Sequence, residues 1–427
     1  MDKIKVVGGA SLVGQIAISG AKNAGLPCMV AALLTEETVE ITNLPKLEDL
    51  NSMAKLLAQH GVEVEFLGQS TLLEASKMRS VKLTAKNVSN YTAPYDLVRK
   101  MRASVLVLGS LLARFGEAKV SLPGGCAIGT RPVNLHISAL EQMGAQIEIE
   151  AGYINATAPK GLHGAEILFD IVSVGATENI LMAATLAKGK TILRNAAKEP
   201  EITDLADLLN SMGAKITGAG TDTITIEGVA RLHGTKHALI ADRIEAGTYA
   251  IAAAITGGNL KITNVNPEIL ASVLIDLEKA GMKIQRGQDY FTVEGQGNIK
   301  PLSLTTAPFP SFPTDMQAQM MAMLCVGRGV SQITETIYEN RFMHAPELNR
   351  MGAKIAINDN LAVIQGVEHL KGAEVMASDL RASVSLILAG LVAEGETIVN
   401  RIYHLDRGYE NIEEKLTACG AKIKRVS

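Results

Sequence analysis

The chain has 427 residues, 47% of them hydrophobic and 20% charged, so it is long enough for two domains and too apolar to be disordered. The 41 basic and 44 acidic residues give a net charge of −3, which argues against a nucleic-acid-binding protein, because such a protein needs a basic face. No apolar run is long enough to span a membrane, and the N-terminal residues lack the pattern of a signal peptide. We therefore expect a cytoplasmic protein.

A short pattern recurs six times along the chain. Each copy has a Leu, three further residues, a Gly, a small or apolar residue, a spacer, and then Ile or Val. The glycines of the pattern are Gly61, Gly144, Gly213, Gly281, Gly352 and Gly420. The pattern predicts a helix that is ended by a glycine in the left-handed conformation and followed at once by a strand.

An Ala-, Leu- and Met-rich stretch precedes each repeat glycine, for example 180–192 and 383–398. A helix that is apolar nearly all round is typical of a buried position. Six such units divide naturally into three plus three, which predicts two similar α/β domains with buried helices inside and sheets outside. The alternative is an open solenoid scaffold without chemistry, which is disfavoured because solenoid repeats are usually shorter, roughly 20 to 50 residues.

Four cysteines lie far apart in the sequence, at Cys28, Cys126, Cys325 and Cys419. Without a C-x-x-C pair, we expect free thiols in a reducing compartment. Cys28 and Cys325 lie in apolar helical stretches, and Cys419 precedes a repeat glycine, so we predict that these three are small buried side chains.

Cys126 lies in a connector of a different kind. The first two repeat glycines are further apart than any later pair, and part of the extra length falls in the segment 120–132. Gly124, Gly125 and Gly129 make that segment permissive, so it could close over a ligand. Arg131 lies close by and suits an anion. A thiol in this accessible, basic setting is predicted to be reactive.

Charged side chains interrupt the repeat mostly where the buried helices begin. They are Lys22, Arg102, Asp315, Arg381 and Arg407, with Asn23 beside the first. Helix N-termini favour anions, so lysine and arginine there predict a phosphate or carboxylate site. The alternative for each residue taken singly is a surface ion pair.

A metal site is not expected from the sequence. His233 and His237 have an i, i+4 spacing that suits a metal, but Gly234 interrupts them, the segment has the composition of a turn, and no third ligand is evident.

Seven sequence blocks together resemble one family of enzymes. The blocks are Ser19–Asn23, Leu122–Cys126, Ser173–Asn179, Asp242–Thr248, Phe312–Gln319, Glu335–His344 and His404–Glu410. In this order they resemble the enolpyruvyl transferases, in particular the 1-carboxyvinyltransferases of UDP-N-acetylglucosamine, from about Val13 to Lys424.

The resemblance implies an α/β fold of two inside-out barrel domains, each of three repeats, with the active site in the cleft between them. It also implies that the chain begins in the second domain and crosses between the domains twice. Residues 20–240 would form the first barrel, which carries the Cys126 loop, and residues 1–19 with 241–427 would form the second.

The implied reaction moves the enolpyruvyl group of phosphoenolpyruvate to the 3′-hydroxyl of UDP-N-acetylglucosamine and releases phosphate. It proceeds by addition and elimination and is the first committed step of peptidoglycan precursor synthesis. Both partners are small molecules, and neither a metal nor an organic cofactor is implied. An epoxide-type inhibitor is expected to alkylate Cys126.

The resemblance also implies a role for each matching residue. Cys126 would be the general acid and Asp315 the base on the sugar hydroxyl. Lys22, Arg131 and Arg407 would hold the phosphate of the donor, and Arg381 with Lys22 its carboxylate. The nucleotide sugar would be bound by Asn23, Arg102, Arg131, Pro132, Val133, Asn134, Leu135, Ser173, Val174, Gly175, Asp315 and Ile337, with Asp242, Glu339 and Arg341 in support.

Three residues depart from the family pattern and bear on substrate affinity rather than on the reaction. Asn134 stands where the family often has Asp, Ile171 where some members have Lys, and Phe309 where Tyr is frequent.

Two other functions stay open from the sequence. The shikimate-pathway enolpyruvyl transferase shares the fold and the donor but works without a loop cysteine, so the Leu-Pro-Gly-Gly-Cys block disfavours it. A non-catalytic duplicate that binds ligands for regulation is disfavoured because Cys126, Lys22, Asp315 and Arg407 are all present.

Overall fold

The structure is a computed structural model that describes residues 2–68, 79–123 and 133–426. The chain divides into two compact units, each with its own hydrophobic core. One unit holds residues 20–123 and 133–240, and the other holds 2–19 and 241–426. No helix among the described residues has both the length and the apolar character needed to cross a membrane.

Helices and strands alternate along the whole chain. The first stretch contains β1 (Lys3–Val7), β2 (Val13–Ala17), α1 (Lys22–Ala31), β3 (Thr38–Thr42), α2 (Glu48–His60), β4 (Glu63–Leu67), β5 (Ser80–Thr84), β6 (Thr92–Ala93), α3 (Tyr95–Val98), α4 (Val107–Phe115) and β7 (Glu117–Ser121). The second contains α5 (Asn134–Gln142), β8 (Gln146–Glu150), β9 (Tyr153–Thr157), β10 (Glu166–Leu168), α6 (Val174–Ala184), β11 (Lys190–Arg194), α7 (Pro200–Ser211), β12 (Lys215–Thr217), β13 (Thr223–Glu227) and β14 (Thr235–Ala238).

The third stretch contains α8 (Arg243–Thr256), β15 (Asn259–Thr263), α9 (Ala271–Lys279), β16 (Lys283–Arg286), β17 (Tyr290–Glu294), β18 (Ser303–Thr305), α10 (Gln317–Cys325), β19 (Val330–Thr334), α11 (Ala345–Arg350), β20 (Lys354–Asn358), β21 (Leu361–Gln365), β22 (Glu374–Met376), α12 (Leu380–Gly390), β23 (Glu396–Asn400), α13 (Ile412–Ala418) and β24 (Lys422–Val426). Short 3-10 turns at 102–106 and 314–316 precede α4 and α10, and another at 402–407 follows β23.

The repeat glycines end their helices as the sequence predicts. All six have a positive φ between 93° and 102°. The residue after each glycine donates its backbone N–H to the carbonyl of the repeat leucine, for example Val62 to Leu57 at 3.1 Å and Ala421 to Leu416 at 3.0 Å. This bond satisfies a helix-end carbonyl and turns the chain into the next strand.

The predicted buried helices are α1, α4, α6, α8, α10 and α12. All or most of their residues are buried, on every side of the helix. The strand that follows each of them lies inside a four-stranded sheet rather than at its edge.

Six four-stranded sheets formed by the described residues repeat one arrangement. In each sheet an edge strand pairs in parallel with the strand after the buried helix, and the other pairings are antiparallel, as in the order β10-β11-β13-β12. Side chains alternate along these strands, with Ile224 and Ile226 of β13 buried between more exposed neighbours. One face of the sheet therefore packs on the helices and the other faces solvent, which confirms the predicted α/β class with helices inside.

The N-terminal strands complete sheets whose other strands come much later in the chain. β1 pairs with β23 and β24, and β2 pairs with β15. Residues 2–19 therefore belong to the unit of 241–426.

Much of the extra length between Gly61 and Gly116 lies just before α4. There, α3 and the 3-10 turn at 102–106 lie between β6 and the buried helix α4. In the next repeat, β10 is followed by the buried helix α6 with no helix between them. The rest of the predicted extra length falls in segment 124–132, which lies outside the described residues.

Candidate functional site

Four of the predicted charged residues lie where buried helices begin, as the repeat pattern indicates. Lys22 is the first residue of α1, and Arg381 is the second residue of α12. Arg102 and Asp315 lie in the 3-10 turns that lead into α4 and α10. Arg407 is different, because it ends the 3-10 turn at 402–407 that leads from β23 toward the half-exposed helix α13.

The predicted loop residues Cys126, Arg131 and Pro132 lie outside the described residues. The three cysteines that the structure describes are free and buried, as predicted. Burial raises the pKa of Cys325 to about 12 and raises that of Cys419 as well. Burial, with Asp204 and Glu178 nearby, raises the pKa of Cys28 well above its usual value. All three therefore keep their protons at neutral pH and are poor nucleophiles.

The Asp315 carboxylate is held between two guanidinium groups. Its Oδ1 accepts a hydrogen bond from Arg341 at 2.7 Å, and its Oδ2 accepts one from Arg381 at 2.6 Å. Both arginine side chains are buried, with 5% and 6% of their surface exposed, whereas 26% of the Asp315 side chain is exposed. The carboxylate is thus fixed in orientation and still has a face open to a ligand.

A buried polar network holds Arg381 from its other side. The guanidinium donates to the Tyr409 hydroxyl at 3.3 Å, which lies 2.8 Å from the Thr248 hydroxyl and accepts from Gln319 at 3.3 Å. Because Thr248 donates to the Ile244 carbonyl, Tyr409 is the donor to Thr248. A network of this kind restricts the orientations that its members can take.

The guanidinium of Arg381 stays protonated in this environment. Burial alone would lower its pKa, but Asp315, Tyr409 and Asp242 outweigh burial and raise the pKa above the ordinary value. Burial raises the pKa of Tyr409, so its hydroxyl stays protonated.

Two aspartates cap two of the three buried helices of this unit. Asp242 accepts from the backbone N–H groups of Ile244 and Glu245 at 2.8 and 3.0 Å, at the start of α8. Asp379 does the same for Arg381 and Ala382 at the start of α12, at 2.8 and 3.1 Å. The predicted supporting residue Asp242 thus fixes a helix N-terminus.

Ile337 lies in a segment organised by a buried carboxylate. Glu335 accepts from the backbone N–H of Ile337 at 2.8 Å and from the hydroxyls of Thr306 and Thr314 at 2.9 and 2.8 Å. Ile337 is half-buried, and Glu339 is exposed two residues later.

In the unit of residues 20–240, Lys22 is paired with the Asp49 carboxylate. Its ammonium lies 3.4 Å from Asp49 of α2, with 13% of the lysine side chain and 5% of the aspartate side chain exposed. Asn23 follows it and is half-buried. A lysine at the start of a buried helix adds its charge to the positive end of the helix dipole, which suits an anionic ligand.

His136 and Asn179 form a buried pair near Arg102. The Asn179 amide donates to Nδ1 of His136 at 2.9 Å, and its oxygen accepts from the backbone N–H of Gly109 at 2.8 Å. Burial first, and then the charge of Arg102, lowers the pKa of His136 to about 4. The imidazole is therefore neutral, with its proton on Nε2.

The remaining predicted nucleotide-sugar residues lie at two helix starts of this unit. Ser173 caps α6 and accepts from the backbone N–H of Ala176 at 3.3 Å, and Val174 and Gly175 form the first turn. Val133 and Leu135 flank the start of α5 and are half-buried, and Asn134 between them is exposed.

The polar partners of these residues were not predicted from the sequence. Thr248, Gln319, Glu335 and Tyr409 lie inside the family-like blocks, and Gln319 follows Asp315 by about one helical turn, so a local signal existed for them. Asp49, His136 and Asp379 lie outside those blocks. Only the fold brings Asp49 to Lys22 and His136 to Asn179, whereas Asp379 lies two residues before Arg381, where an aspartate is a local signal for a helix N-cap.

One sequence prediction about the histidines is wrong. His237 lies in strand β14, which pairs in parallel with β3, and not in a turn. His233 is bonded to the carbonyl of Gly234 through its Nδ1 at 2.9 Å. Within the part of the chain that the structure describes, the group of side chains that could share a metal ion is Cys28, Asp204 and His237.

The predicted site residues thus offer two kinds of chemistry. An oriented carboxylate that a ligand can reach is suited to take a proton from a hydroxyl. Lysine and arginine at helix starts are suited to bind phosphate and carboxylate groups.

Comparison with known proteins gives consistent results over the whole chain. Residues 6–416 match the model of the EPSP synthase (3-phosphoshikimate 1-carboxyvinyltransferase) family. A UDP-N-acetylglucosamine 1-carboxyvinyltransferase from Paramagnetospirillum magneticum is 58% identical over 427 residues, covering 100% of this chain and 99% of the relative. A relative of the same name from Acidiphilium cryptum is 57% identical over 426 residues and covers 100% of both chains.

Solved structures agree on the fold. The enolpyruvyl transferase NikO from Streptomyces tendae superposes with a TM-score of 0.87 at 25% identity, over 100% of this chain and 99% of that chain. An EPSP synthase from Acinetobacter baumannii superposes with a TM-score of 0.75 at 20% identity over 100% of both chains, a likeness in fold alone. The chain belongs to the enolpyruvyl transferase family and, within it, to the UDP-N-acetylglucosamine 1-carboxyvinyltransferases.

Proposed function

We propose that this chain transfers the enolpyruvyl group of phosphoenolpyruvate to the 3′-hydroxyl of UDP-N-acetylglucosamine and releases phosphate. This would make it the first committed enzyme of peptidoglycan precursor synthesis, acting in the cytoplasm. The observation that carries the proposal is the Asp315 carboxylate, which Arg341 and Arg381 orient at 2.7 and 2.6 Å. Full-length relatives at 56–58% identity that carry the name of this activity support the choice of acceptor.

The reaction needs a proton at carbon, a proton acceptor at oxygen and positive charge for the donor. In the addition step, Cys126 protonates the methylene carbon of phosphoenolpyruvate, the sugar oxygen bonds to the adjacent carbon, and Asp315 takes the hydroxyl proton. In the elimination step, the new methyl group returns a proton to the Cys126 thiolate and the carbon–oxygen bond to phosphate breaks. Phosphate leaves and the enol ether remains on the sugar.

The donor would be held by cations. Lys22, Arg131 and Arg407 bind its phosphate, and Arg381 with Lys22 binds its carboxylate. Arg381 already donates to Asp315 and Tyr409, so it would use its remaining N–H groups for the donor. This arrangement couples the orientation of the base to that of the donor.

The acceptor would be bound by residues at helix starts and in loops. They are Asn23, Arg102, Arg131, Pro132, Val133, Asn134, Leu135, Ser173, Val174, Gly175, Asp315 and Ile337, supported by Asp242, Glu339 and Arg341. We also propose that residues 20–240 form one barrel domain and residues 1–19 with 241–427 the other.

Phosphate release with different acceptors tests this function. The purified chain is given phosphoenolpyruvate with either UDP-N-acetylglucosamine or shikimate 3-phosphate. We expect release only with the nucleotide sugar. Release only with shikimate 3-phosphate would assign the chain to the other pathway, and binding of phosphoenolpyruvate without turnover at saturating acceptor would indicate a non-catalytic duplicate.

The role of Cys126 has its own test. Cys126→Ala should lose most turnover at neutral pH, roughly hundredfold or more, because the reaction loses its general acid. An electrophilic epoxide analogue of phosphoenolpyruvate should label Cys126, and peptide mass spectrometry locates the adduct. Cys28, Cys325 and Cys419 serve as internal controls, since all three are buried. An adduct on any of them in place of Cys126 contradicts the assignment.

A further inference from the structure

Three potential metal ligands meet in the core of the unit of residues 20–240, apart from the residues assigned to the transfer reaction. Cys28 lies on α1, Asp204 on α7 and His237 on β14. Nε2 of His237 lies 3.0 Å from one carboxylate oxygen of Asp204, and Sγ of Cys28 lies 3.8 Å from the other. One ligand atom from each residue lies within 4.8 Å of the others.

The spacing of these atoms can be compared with that of a tetrahedral zinc site. With zinc–sulfur bonds of about 2.3 Å and zinc–nitrogen or zinc–oxygen bonds of about 2.0–2.1 Å, neighbouring ligand atoms lie about 3.3–3.6 Å apart. The observed separations of 3.0 and 3.8 Å run to different oxygens of Asp204. An ion held by one of these oxygens would have either the His237 nitrogen or the Cys28 sulfur at its observed distance, and the third ligand atom within 4.8 Å.

The charges of the three ligands also suit a divalent ion. A thiolate, a carboxylate and a neutral imidazole carry a total charge of −2 when ionised for binding, which a divalent cation neutralises. Cys28 and Asp204 are buried, with 0% and 3% of their surface exposed, and an uncompensated charge in such a place is unfavourable. A set of sulfur, nitrogen and oxygen ligands favours zinc over magnesium or calcium.

We propose that Cys28, Asp204 and His237 form a binding site for a divalent metal ion of the zinc type. On binding, the Cys28 thiol releases its proton to solvent, and His237 binds through Nε2 while its proton moves to Nδ1. The ion links α1, α7 and β14, which come from distant parts of the chain. Since Lys22 is the first residue of α1, the site would stabilise the helix that presents this lysine.

Access to the site is through His237. Its side chain is 14% exposed and lies on β14, the edge strand of its sheet, whereas the other two ligands are closed off from solvent. Three protein ligands leave one position of a tetrahedral ion for water.

The competing explanation is a hydrogen-bonded trio without a metal. In that state the His237 Nε2–H and the Cys28 S–H both donate to Asp204, which also satisfies the buried carboxylate. The two explanations differ in whether a metal–thiolate bond forms.

Cobalt(II) is a direct probe of that bond, because a cobalt–thiolate pair absorbs in the near ultraviolet and a tetrahedral cobalt site absorbs in the visible. The full-length protein is reduced, freed of metal with a chelator, and titrated with cobalt(II). We expect a thiolate band that saturates at one ion per chain. Cys28→Ser should abolish it, and His237→Gln should weaken cobalt binding by more than about tenfold.

Matched variants separate the site from other thiols and histidines. Cys325→Ser removes another buried cysteine, and His233→Gln removes the neighbouring exposed histidine; both should keep the band. Absence of the band in the wild-type protein, or a band that persists in Cys28→Ser, would overturn the proposal.

A stability measurement shows whether the variants fail to bind merely because they fail to fold. The thermal unfolding midpoint of each metal-free variant is measured by circular dichroism, and the measurement is repeated with zinc. Zinc should raise the midpoint of the wild-type protein and of His233→Gln but not that of a folded Cys28→Ser. An equal rise in Cys28→Ser contradicts the proposed ligand set.

Discussion

The two compact units repeat the same order of buried helices and sheets, yet they hold their candidate functional side chains differently. In the unit of residues 241–426, Asp315 is fixed by Arg341 and Arg381, and Arg381 is fixed in turn by Tyr409. In the unit of residues 20–240, the Lys22 ammonium lies 3.4 Å from the Asp49 carboxylate, a longer separation than either hydrogen bond to Asp315. A base must be oriented toward a single proton, whereas a cation that attracts an anion acts over a longer range and tolerates looser geometry.

The largest expected effect comes from removing the oriented base. Asp315→Asn keeps the shape of the side chain but cannot take up a proton, so kcat should fall about 10²- to 10⁴-fold, with a much smaller change in the KM of the nucleotide sugar. Steady-state phosphate release measures both constants.

Asp276→Asn is the matched control for that variant. Asp276 is a buried aspartate of the same unit, paired with Lys279 at 2.7 Å on α9, outside the assigned site. Its replacement should leave kcat unchanged. If Asp315→Asn retained kcat within a factor of about ten, Asp315 would not be the base.

The next largest effect is on the pH dependence of stability, to which a buried histidine in each unit contributes. Burial, then Arg102, lowers the pKa of His136 to about 4 from 6.5. Burial and Arg341, partly opposed by Asp379, lower that of His344 to about 4 as well. Both histidines would take up protons near pH 6.5 in the unfolded chain but only near pH 4 in the folded protein. The folded state is therefore most stable above pH 6.5, and its free energy of unfolding decreases as the pH falls toward 4.

Unfolding free energies measured between pH 4 and pH 7 test this prediction. His136→Asn and His344→Asn should each flatten the pH dependence by up to about 3 kcal/mol over that range. His233→Gln, at an exposed position, should leave the profile unchanged. A His136→Asn profile parallel to that of the wild-type protein would show that His136 does not carry this dependence.

Gly61 and Gly352 occupy the same position of the repeat, one in each unit, so the cost of replacing them can be compared. Gly61 and Gly352 have φ values of 101° and 93°. A Cβ on Gly61 would lie 2.6 Å from the Asn87 carbonyl oxygen, whereas a Cβ on Gly352 would have no neighbour within 4 Å among the described residues. Alanine at either position costs about 1–2 kcal/mol for the left-handed backbone.

Gly61→Ala should therefore destabilise the protein by about 1–3 kcal/mol more than Gly352→Ala, because the Asn87 backbone must move. Thermal or urea unfolding of the two variants gives the difference. Equal destabilisation would indicate that the backbone conformation alone determines the cost.

The smallest effect is expected at the network behind Arg381. Tyr409→Phe removes one hydroxyl that contacts Thr248, Gln319 and Arg381, so it should reduce stability by about 1–3 kcal/mol. The loss in kcat should be smaller than for Asp315→Asn, because Arg381 keeps its bond to Asp315.

Tyr249→Phe is a matched control for this change. The Tyr249 hydroxyl is buried without a hydrogen-bond partner among the described residues, so its removal should be neutral or stabilising. Comparable destabilisation by both variants would mean that the Tyr409 hydroxyl has no special role.

Local features of the fold could be predicted from the sequence. The conformation of the six repeat glycines and the burial of α1 and α10 follow from residue spacing and composition within a few turns of chain. The start of α12 next to Arg381 follows likewise from a charge placed before an apolar run.

Features that depend on distant pairings could not be predicted. His237 is in a strand only because β14 pairs with β3, almost two hundred residues earlier. Tyr409 and Thr248 are 161 residues apart and meet only after folding. The same holds for Cys28, Asp204 and His237, whose separate sequence contexts indicate a buried thiol, a helix and a turn rather than a common site.

Transfer by addition and elimination makes a specific demand on the donor carbon, which must become a methyl group before phosphate leaves. The most direct measurement is therefore turnover in D2O, after which the nucleotide-sugar product is isolated and its deuterium content is determined by mass spectrometry. We predict enolpyruvyl UDP-N-acetylglucosamine that carries deuterium in its methylene group, because the acid delivers deuterium and elimination removes either isotope. The same product without any deuterium would contradict the mechanism, and its absence in the presence of both substrates would contradict the proposed function.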